Sequence, residues 1–258
     1  MIVGIRGLGL IGGSFEKAFI ERGDRALNLK GADASLISSC DLIIVALPPL
    51  MVAPWIREHA ADFKPGALIT DVAGVKRVVL SELEETAKRA NWTYIGGHPM
   101  AGKERCGYAM SDAKLYKGAS MILTPYEWTP SEKVEELKSL MLSIGFARVV
   151  VTTPEHHDEM IAYTSQLAHV VSSAYVQDPI ATGHMGFSAG SFQDMTRVAV
   201  VEADIWNDLF LSNKDDLSIV LGRLIERLTT FKRAIDSSDS ETLKALLKEG
   251  KRIKELSK

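Results

Sequence analysis

The sequence predicts an α/β domain built on a parallel sheet, followed by an all-helical domain, with the boundary near residue 153 (1–153 and 154–258). Three observations predict it. Short apolar runs alternate with helical patterns over the first part of the chain. A glycine-rich turn directly follows the first of those runs. After Thr153-Pro154 the strand-like runs give way to helical periodicity.

Ile2-Val3-Gly4-Ile5 is the first strand, and it opens onto Gly7-Leu8-Gly9-Leu10-Ile11-Gly12-Gly13-Ser14 and a helix whose face carries Phe15, Ala18 and Phe19. Residues 26–29 are the candidate second strand, ending at Lys30. The stretch from Lys30 to Leu42 is too short for a normal helix and a third strand, so the fold is expected to be trimmed there. Residues 42–47 form a near-continuous apolar run, as expected of a parallel strand buried on both faces, and stop at Pro48-Pro49. Residues 67–72, 93–95, 119–123 and 148–151 supply the remaining strands. Thr129-Pro130-Ser131-Glu132 reads as a capping box with proline at the first helical position, ahead of Val134, Leu137, Leu140 and Met141.

In the helical part, Met160, Tyr163, Leu167, Val170, Val171 and Ala174 are expected on one helix face. Leu217, Leu221, Leu224, Leu228, Phe231 and Ile235 make a heptad-like stripe, which Ile219, Val220 and Ile225 broaden. A helix that apolar needs partners on more than one side, and a homodimer formed through the helical domain is the economical solution. Ser238-Asp239-Ser240-Glu241 reads as a second capping box, opening a last helix with Leu243, Leu246, Leu247, Ile253 and Leu256.

The 258 residues are 46% hydrophobic and 24% charged, with a formal net charge of −3. That balance is ordinary for a globular protein, and it lacks the basic surplus that nucleic-acid binding needs. The run at 42–47 is far short of the ~20 apolar residues of a membrane span. Met1-Ile2-Val3-Gly4-Ile5-Arg6 lacks the features of a signal peptide. Two cysteines, Cys40 and Cys106, without CxxC spacing, leave no disulfide framework or thiolate metal site. Reduced thiols in a cytoplasmic protein are the expectation. The run His156-His157-Asp158-Glu159 invites a metal reading, but neighbouring helical residues point about 100° apart and no histidine pair stands at i, i+4. A solvated first helical turn is expected instead, and no metal.

Two places carry chemistry. A GxGxxG turn between a strand and a helix is the setting of a dinucleotide site: Gly7 for the tight turn, Gly9 for the approach of a pyrophosphate, Gly12 for close helix packing. Leu8, Leu10 and Ile11 belong to the same turn. Ala46, Leu47 and Pro48, and Gly74 in the turn after residues 67–72, are further cofactor-binding candidates. Lys30 stands where a 2′-phosphate would be read, which suits NADP; it could equally be a solvated loop lysine, so NAD and NADP both stay open. The second place is Gly96-Gly97-His98-Pro99-Met100-Ala101-Gly102-Lys103-Glu104, at the carboxyl end of a strand, where an open sheet presents residues to ligand. The imidazole of His98 is suited to take a hydroxyl proton while the carbon beneath it loses hydride to a nicotinamide.

The glycine turn, Gly97-His98-Pro99-Met100-Ala101-Gly102, Ser165-Gln166-Leu167-Ala168-His169 and Phe192-Gln193-Asp194-Met195-Thr196-Arg197-Val198-Ala199 together resemble the prephenate/arogenate dehydrogenase family, in the family's order and over nearly the whole chain. The resemblance implies a Rossmann domain followed by a helical dimerisation domain. It implies oxidative decarboxylation of prephenate, or of arogenate, by NAD(P)⁺. It makes His98 the base, Arg197 the partner of a substrate carboxylate, and His169, Gly102, Glu104 and Trp206 pocket members. Read from the residues alone, His169 and Trp206 would be core side chains and Arg197 a surface arginine. The turn Thr70-Asp71-Val72-Ala73-Gly74-Val75-Lys76 departs from the family in carrying Gly74 where serine is usual, and Gln166 and Ala168 replace histidine and proline. Two other functions stay in view: a β-hydroxy-acid dehydrogenase, disfavoured because residues 165–172 offer no catalytic lysine, and a catalytically weak nucleotide-sensing module.

Overall fold

Apolar runs pair side by side because the inner strands of a parallel sheet bury both faces. The computed structural model describes residues 1–103 and 107–257. β1 (Ile2–Arg6), β2 (Arg25–Asn28), β3 (Leu42–Val45), β4 (Leu68–Asp71), β5 (Thr93–Pro99), β6 (Ser120–Thr124) and β7 (Arg148–Val151) form one sheet in the order β2-β1-β3-β4-β5-β6-β7. Strands β1 to β5 are parallel. Along β3 the faces alternate: Ile43 and Val45 join Trp55, Leu83 and Tyr94 on one side, and Leu42 and Ile44 join Phe15, Phe19 and Phe146 on the other. Helices α1 (Leu10–Glu21) and α5 (Ser131–Ser143) contribute to the second cluster, and α3 (Pro49–Glu58) and α4 (Arg77–Lys88) to the first.

The trimming after the second strand takes a definite form. The link from β2 to β3 holds only the one-turn helix α2 (Ala34–Ser38), capped by Asp33, and β2 is the sheet's edge. The second strand ends at Asn28, before Lys30, because Leu29 turns into the core.

Three expectations need correction. The sheet is not parallel throughout: β6 runs antiparallel to β5, and β7 is parallel to β6. An antiparallel neighbour lets the chain leave β5 and return at the same end of the sheet. The same pairing lengthens β5. Its parallel ladder with β4 ends at Ile95, but pairing with β6 carries the strand on through Pro99, so His98 lies on the strand, opposite Ile122. The Thr129 capping box does not form: Pro130 is itself the N-cap of α5, and no side chain caps it. Leu137 and Met141 are buried as the helical spacing requires.

The region after Thr153 begins with α6 (Pro154–Ile161), whose N-cap is Thr153, its hydroxyl accepting from the His156 N–H. A π-helical turn at Ala162–Gln166 then joins it to α7 (Leu167–Tyr175). That wider turn breaks the expected face. Met160 and Tyr163 are exposed, and the buried line is Ile161, Ala162, Gln166, Leu167 and Ser172. Helices α8 (Gly190–Thr196) and α9 (Ala203–Ser212) follow.

Residues 1–213 and 214–258 are two separate units. The second is a pair of helices, α10 (Lys214–Asp236) and α11 (Ser240–Leu256). Asp239, rather than Ser238, caps α11 by accepting from the Thr242 N–H, while Ser238 takes a positive φ of 54°. Ile219, Ile225, Leu228 and Ile235 on α10, and Leu247, Ile253 and Leu256 on α11, are exposed.

Candidate active site

The glycine turn has the geometry its sequence demands. Gly7 sits at φ 101°, and a side-chain carbon there would lie 2.2 Å from the Ala46 carbonyl oxygen. One at Gly12 would lie 1.9 Å from the Gly7 carbonyl oxygen and 3.0 Å from the Ala46 methyl. The region around Gly9 is open, with nothing within 4 Å of the carbon it lacks. Gly9 is also the N-cap of α1 and offers no side chain to the first-turn N–H groups. An open cradle at a helix N-terminus fits a pyrophosphate. Leu8, Leu10 and Ile11 complete the turn. Ala46 borders it directly, with Leu47 and Pro48 next in the chain as β3 gives way to α3. Lys30 is exposed beyond the tip of β2, where its N–H donates to Asn28 Oδ1. Asp33, the nearest downstream carboxylate in sequence, is engaged in capping α2.

His98 is half-buried, and its Nδ1 lies 2.9 Å from His157 Nε2. His157 Nδ1 lies 2.7 Å from Asp158 Oδ1. Both His157 and Asp158 are buried. These contacts fix the tautomers. A carboxylate can only accept, so His157 donates from Nδ1; its Nε2 then accepts, and His98 must donate from Nδ1. His98 Nε2 is left with a lone pair. Burial, helped by His157 and Lys76, holds the His98 imidazole well below its ordinary value, so it is neutral near pH 7. Burial likewise lowers His157, against the pull of Asp158. In Asp158 burial works upward, but the bonds from His157 and from the Arg77 N–H outweigh it and leave the carboxyl below its usual range.

Asp158 is held at the start of α4, accepting from the Lys76 N–H at 2.8 Å and the Arg77 N–H at 2.9 Å, where a helix N-terminus favours an anion. Asn213 donates to the Asp158 carbonyl and to Gln166 Oε1, and Arg77 donates to Asn213 Oδ1. The π-helical turn is what brings Gln166 inward to this network.

The expectation of a solvated turn at residues 156–159 is therefore half wrong. His156 and Glu159 are exposed, but His157 and Asp158 are interior. The available signal was Ile161-Ala162, one turn further on, which marks the same face as apolar.

Four of the substrate-pocket candidates meet. A cavity of about 670 Å³ is lined by Gly102, Lys103, His169, Arg197, Glu202 and Trp206, among others. His169 Nδ1 lies 2.8 Å from the Val198 carbonyl, so it donates there and leaves Nε2 as an acceptor. Its ring lies against Trp206, with centroids 3.6 Å apart. Burial lowers the His169 imidazole, and Arg197 adds to this. His98 does not line this cavity. The link is α9: Trp206 stands in the cavity wall, and one turn later Leu209 packs beside Gly74, which also faces His98. A side-chain carbon at Gly74 would lie 3.0 Å from a Leu209 methyl and 3.9 Å from His98 Nε2. Glu104 lies outside the described residues.

The glycine cradle and a neutral imidazole at the carboxyl end of the sheet define the class of NAD(P)-dependent dehydrogenases. Residues 8–151 match the model for the prephenate dehydrogenase nucleotide-binding domain, and residues 153–249 match that for the prephenate dehydrogenase dimerization domain. The chain belongs to the prephenate dehydrogenase family. It is 30% identical to a cyclohexadienyl dehydrogenase of Zymomonas mobilis, over 98% of this chain and 94% of that protein. Among solved structures it resembles arogenate dehydrogenase of Synechocystis, with a TM-score of 0.83 and 26% identity over 98% of this chain and 99% of that one. It also resembles prephenate dehydrogenase of A. aeolicus, solved with hydroxyphenyl propionate and NAD+, with a TM-score of 0.83 and 25% identity over 100% of this chain and 98% of that one. No helix among the described residues is long and apolar enough to cross a membrane.

Proposed function

We propose that this protein oxidatively decarboxylates prephenate to 4-hydroxyphenylpyruvate, with NAD(P)⁺ as hydride acceptor and His98 as the base. The observation that carries the role of His98 is the line His98–His157–Asp158, which leaves Nε2 neutral and unprotonated. Nε2 takes the hydrogen of the ring hydroxyl as carbonyl character grows on its carbon. When bound, the nicotinamide accepts the hydride from that carbon. Departure of the ring carboxylate as CO₂ sends its electron pair into the ring, and His98 returns the proton to the phenolic oxygen. In between, the His98 ring carries the proton while its Nδ1–H stays donated to His157 Nε2. Arg197 holds the remaining substrate carboxylate, since a guanidinium fork matches a carboxylate. His169, Trp206 and Gly102 shape the pocket, and Glu104 is assigned to it by resemblance alone.

Gly7, Gly9 and Gly12 receive the pyrophosphate, flanked by Leu8, Leu10, Ile11, Ala46, Leu47 and Pro48, with Gly74 toward the nicotinamide. Lys30 stands exposed beyond the tip of β2 while Asp33 is engaged in capping α2, which favours Lys30 as the reader of a 2′-phosphate. Lys30→Asp then weakens binding of 2′,5′-ADP and spares that of 5′-AMP; equal effects on both would make the lysine a bystander.

Residue 153 is taken as the joint between the two family domains. The exposed apolar faces of α10 and α11 support homodimerisation through the helical domain, and light scattering that finds a 28.2 kDa particle rejects it. Cytoplasmic residence accompanies this biosynthetic reading. The test of the whole is nicotinamide reduction, followed by absorbance, with prephenate and with arogenate. Turnover of neither sinks the proposal, and preference for arogenate moves the substrate.

A further inference from the structure

Lys76 is a buried lysine that the reaction does not use. It is fully buried, and its ammonium donates to Asp71 Oδ1 at 2.5 Å and to the Gly97 carbonyl at 2.7 Å. Asp71, also fully buried, accepts in addition from the Ala73 N–H, the Gly97 N–H and the Tyr94 hydroxyl. Gly97 is the residue before His98. The parallel ladder of β4 with β5 has ended at Ile95, so the two backbone groups that Gly97 turns toward β4 have no strand partner there. The ammonium and the carboxylate serve as that partner. Gly96 and Gly97 leave room for them: a side-chain carbon at Gly96 would lie 3.3 Å from Lys76 Cδ, and one at Gly97 would lie 2.4 Å from the Asp71 carbonyl oxygen.

The same lysine reaches the other end of the histidine line, because its backbone N–H donates to Asp158. The result is a closed ring of contacts, from His98 through His157 and Asp158 to the Lys76 backbone, and from the Lys76 ammonium through Gly97 back to His98. We infer that Lys76 is a positioning residue for His98: with Asp71 it fixes the strand that carries the base and sets a buried positive charge behind it. The inference rests on His98 being the base of the proposed reaction.

The charges that face His98 among the described residues bear this arrangement out. From the β4–α4 side come Lys76 and Asp71, and from α6 come His157 and Asp158. Tyr94 stands on the strand of His98 itself. Lys76 disfavours the protonated form of both histidines.

The experiment uses Lys76→Met and the charge-free double variant Asp71→Asn/Lys76→Met, because removing one member of a buried pair costs far more than removing both. The first readout is the protonation midpoint of the His98 ring by nitrogen-15 NMR, which needs no substrate and so stays informative even if the assigned reaction is wrong. The expected result is a midpoint that rises toward the ordinary imidazole value of about 6.5. The second readout is kcat against pH: the loss is expected to be several-fold greater on the acid side, with KM for the dinucleotide unchanged. An unmoved midpoint, or a kcat reduced by the same factor at every pH, overturns the inference. So does failure of both variants to fold, which would make the pair a requirement of the fold alone.

Discussion

The two parts of the candidate site are built in opposite ways. His98 is held from behind by an interior network in which Asp71, Lys76, His157 and Asp158 are all buried. The cavity with Arg197 and Gly102 is walled by exposed side chains and by a half-buried His169 and Trp206. Buried polar groups must be satisfied, and once satisfied they define one arrangement. Exposed ones are cheap to change. His98 is thus fixed by the fold itself, whereas the walls of the cavity are open to revision without loss of the core.

The comparison breaks most easily at His98. His98→Asn is expected to lower kcat by ~10²–10⁴-fold, the usual span for a general base. Dinucleotide binding, measured by calorimetry, should persist. Wild-type turnover would remove His98 from the reaction. Next comes the wall. Arg197→Ala loses a charge-assisted bond worth about 1.5–3 kcal/mol, so KM for prephenate should rise about ten- to a hundredfold or more, with little change in melting temperature. An unchanged KM would make Arg197 a surface residue. A third prediction concerns acid. His98, His157 and His169 are all held below their ordinary value, chiefly by burial. In the unfolded chain they titrate near 6.5, so below about pH 6.5 the unfolded state binds more protons and stability falls as pH drops. kcat should nevertheless stay level down through about pH 6.5, because folded His98 is still neutral. A kcat already halved at that pH contradicts the depressed imidazole.

The smallest effect belongs to Gly74→Ser. Gly74 does not use a positive φ, so serine is not strained there, but the Leu209 methyl must give by a few tenths of an ångström. Its hydroxyl would come within reach of His98 Nε2. Activity that holds or rises, with normal stability, fits the reading that the hydroxyl is simply absent here. A stable variant with much lower activity contradicts it.

What the sequence made legible divides along the same line. The glycine turn could be read because its demands are local: a positive φ at Gly7 and no room for a side chain at Gly12 are properties of one short segment. His98 could be read because it lies at the carboxyl end of a recognisable strand. His157 and Asp158 could not, because what buries them is the N-terminus of α4, some eighty residues earlier in the chain, at Lys76 and Arg77. The antiparallel return of β6 was hidden too, since an apolar run carries no record of its direction. The π-helical turn moved Met160 and Tyr163 to the surface because a spacing rule assumes an uninterrupted helix.

The clasp on Gly97 also bears on how the protein breathes. An amide held by a buried carboxylate cannot exchange with solvent through fraying of a strand end; it opens only when the surrounding core opens. Deuterium should therefore reach the strand that carries His98 among the last places in the molecule. The cavity wall lies open by contrast: Arg197 is exposed there and Val200 is exposed at 87%.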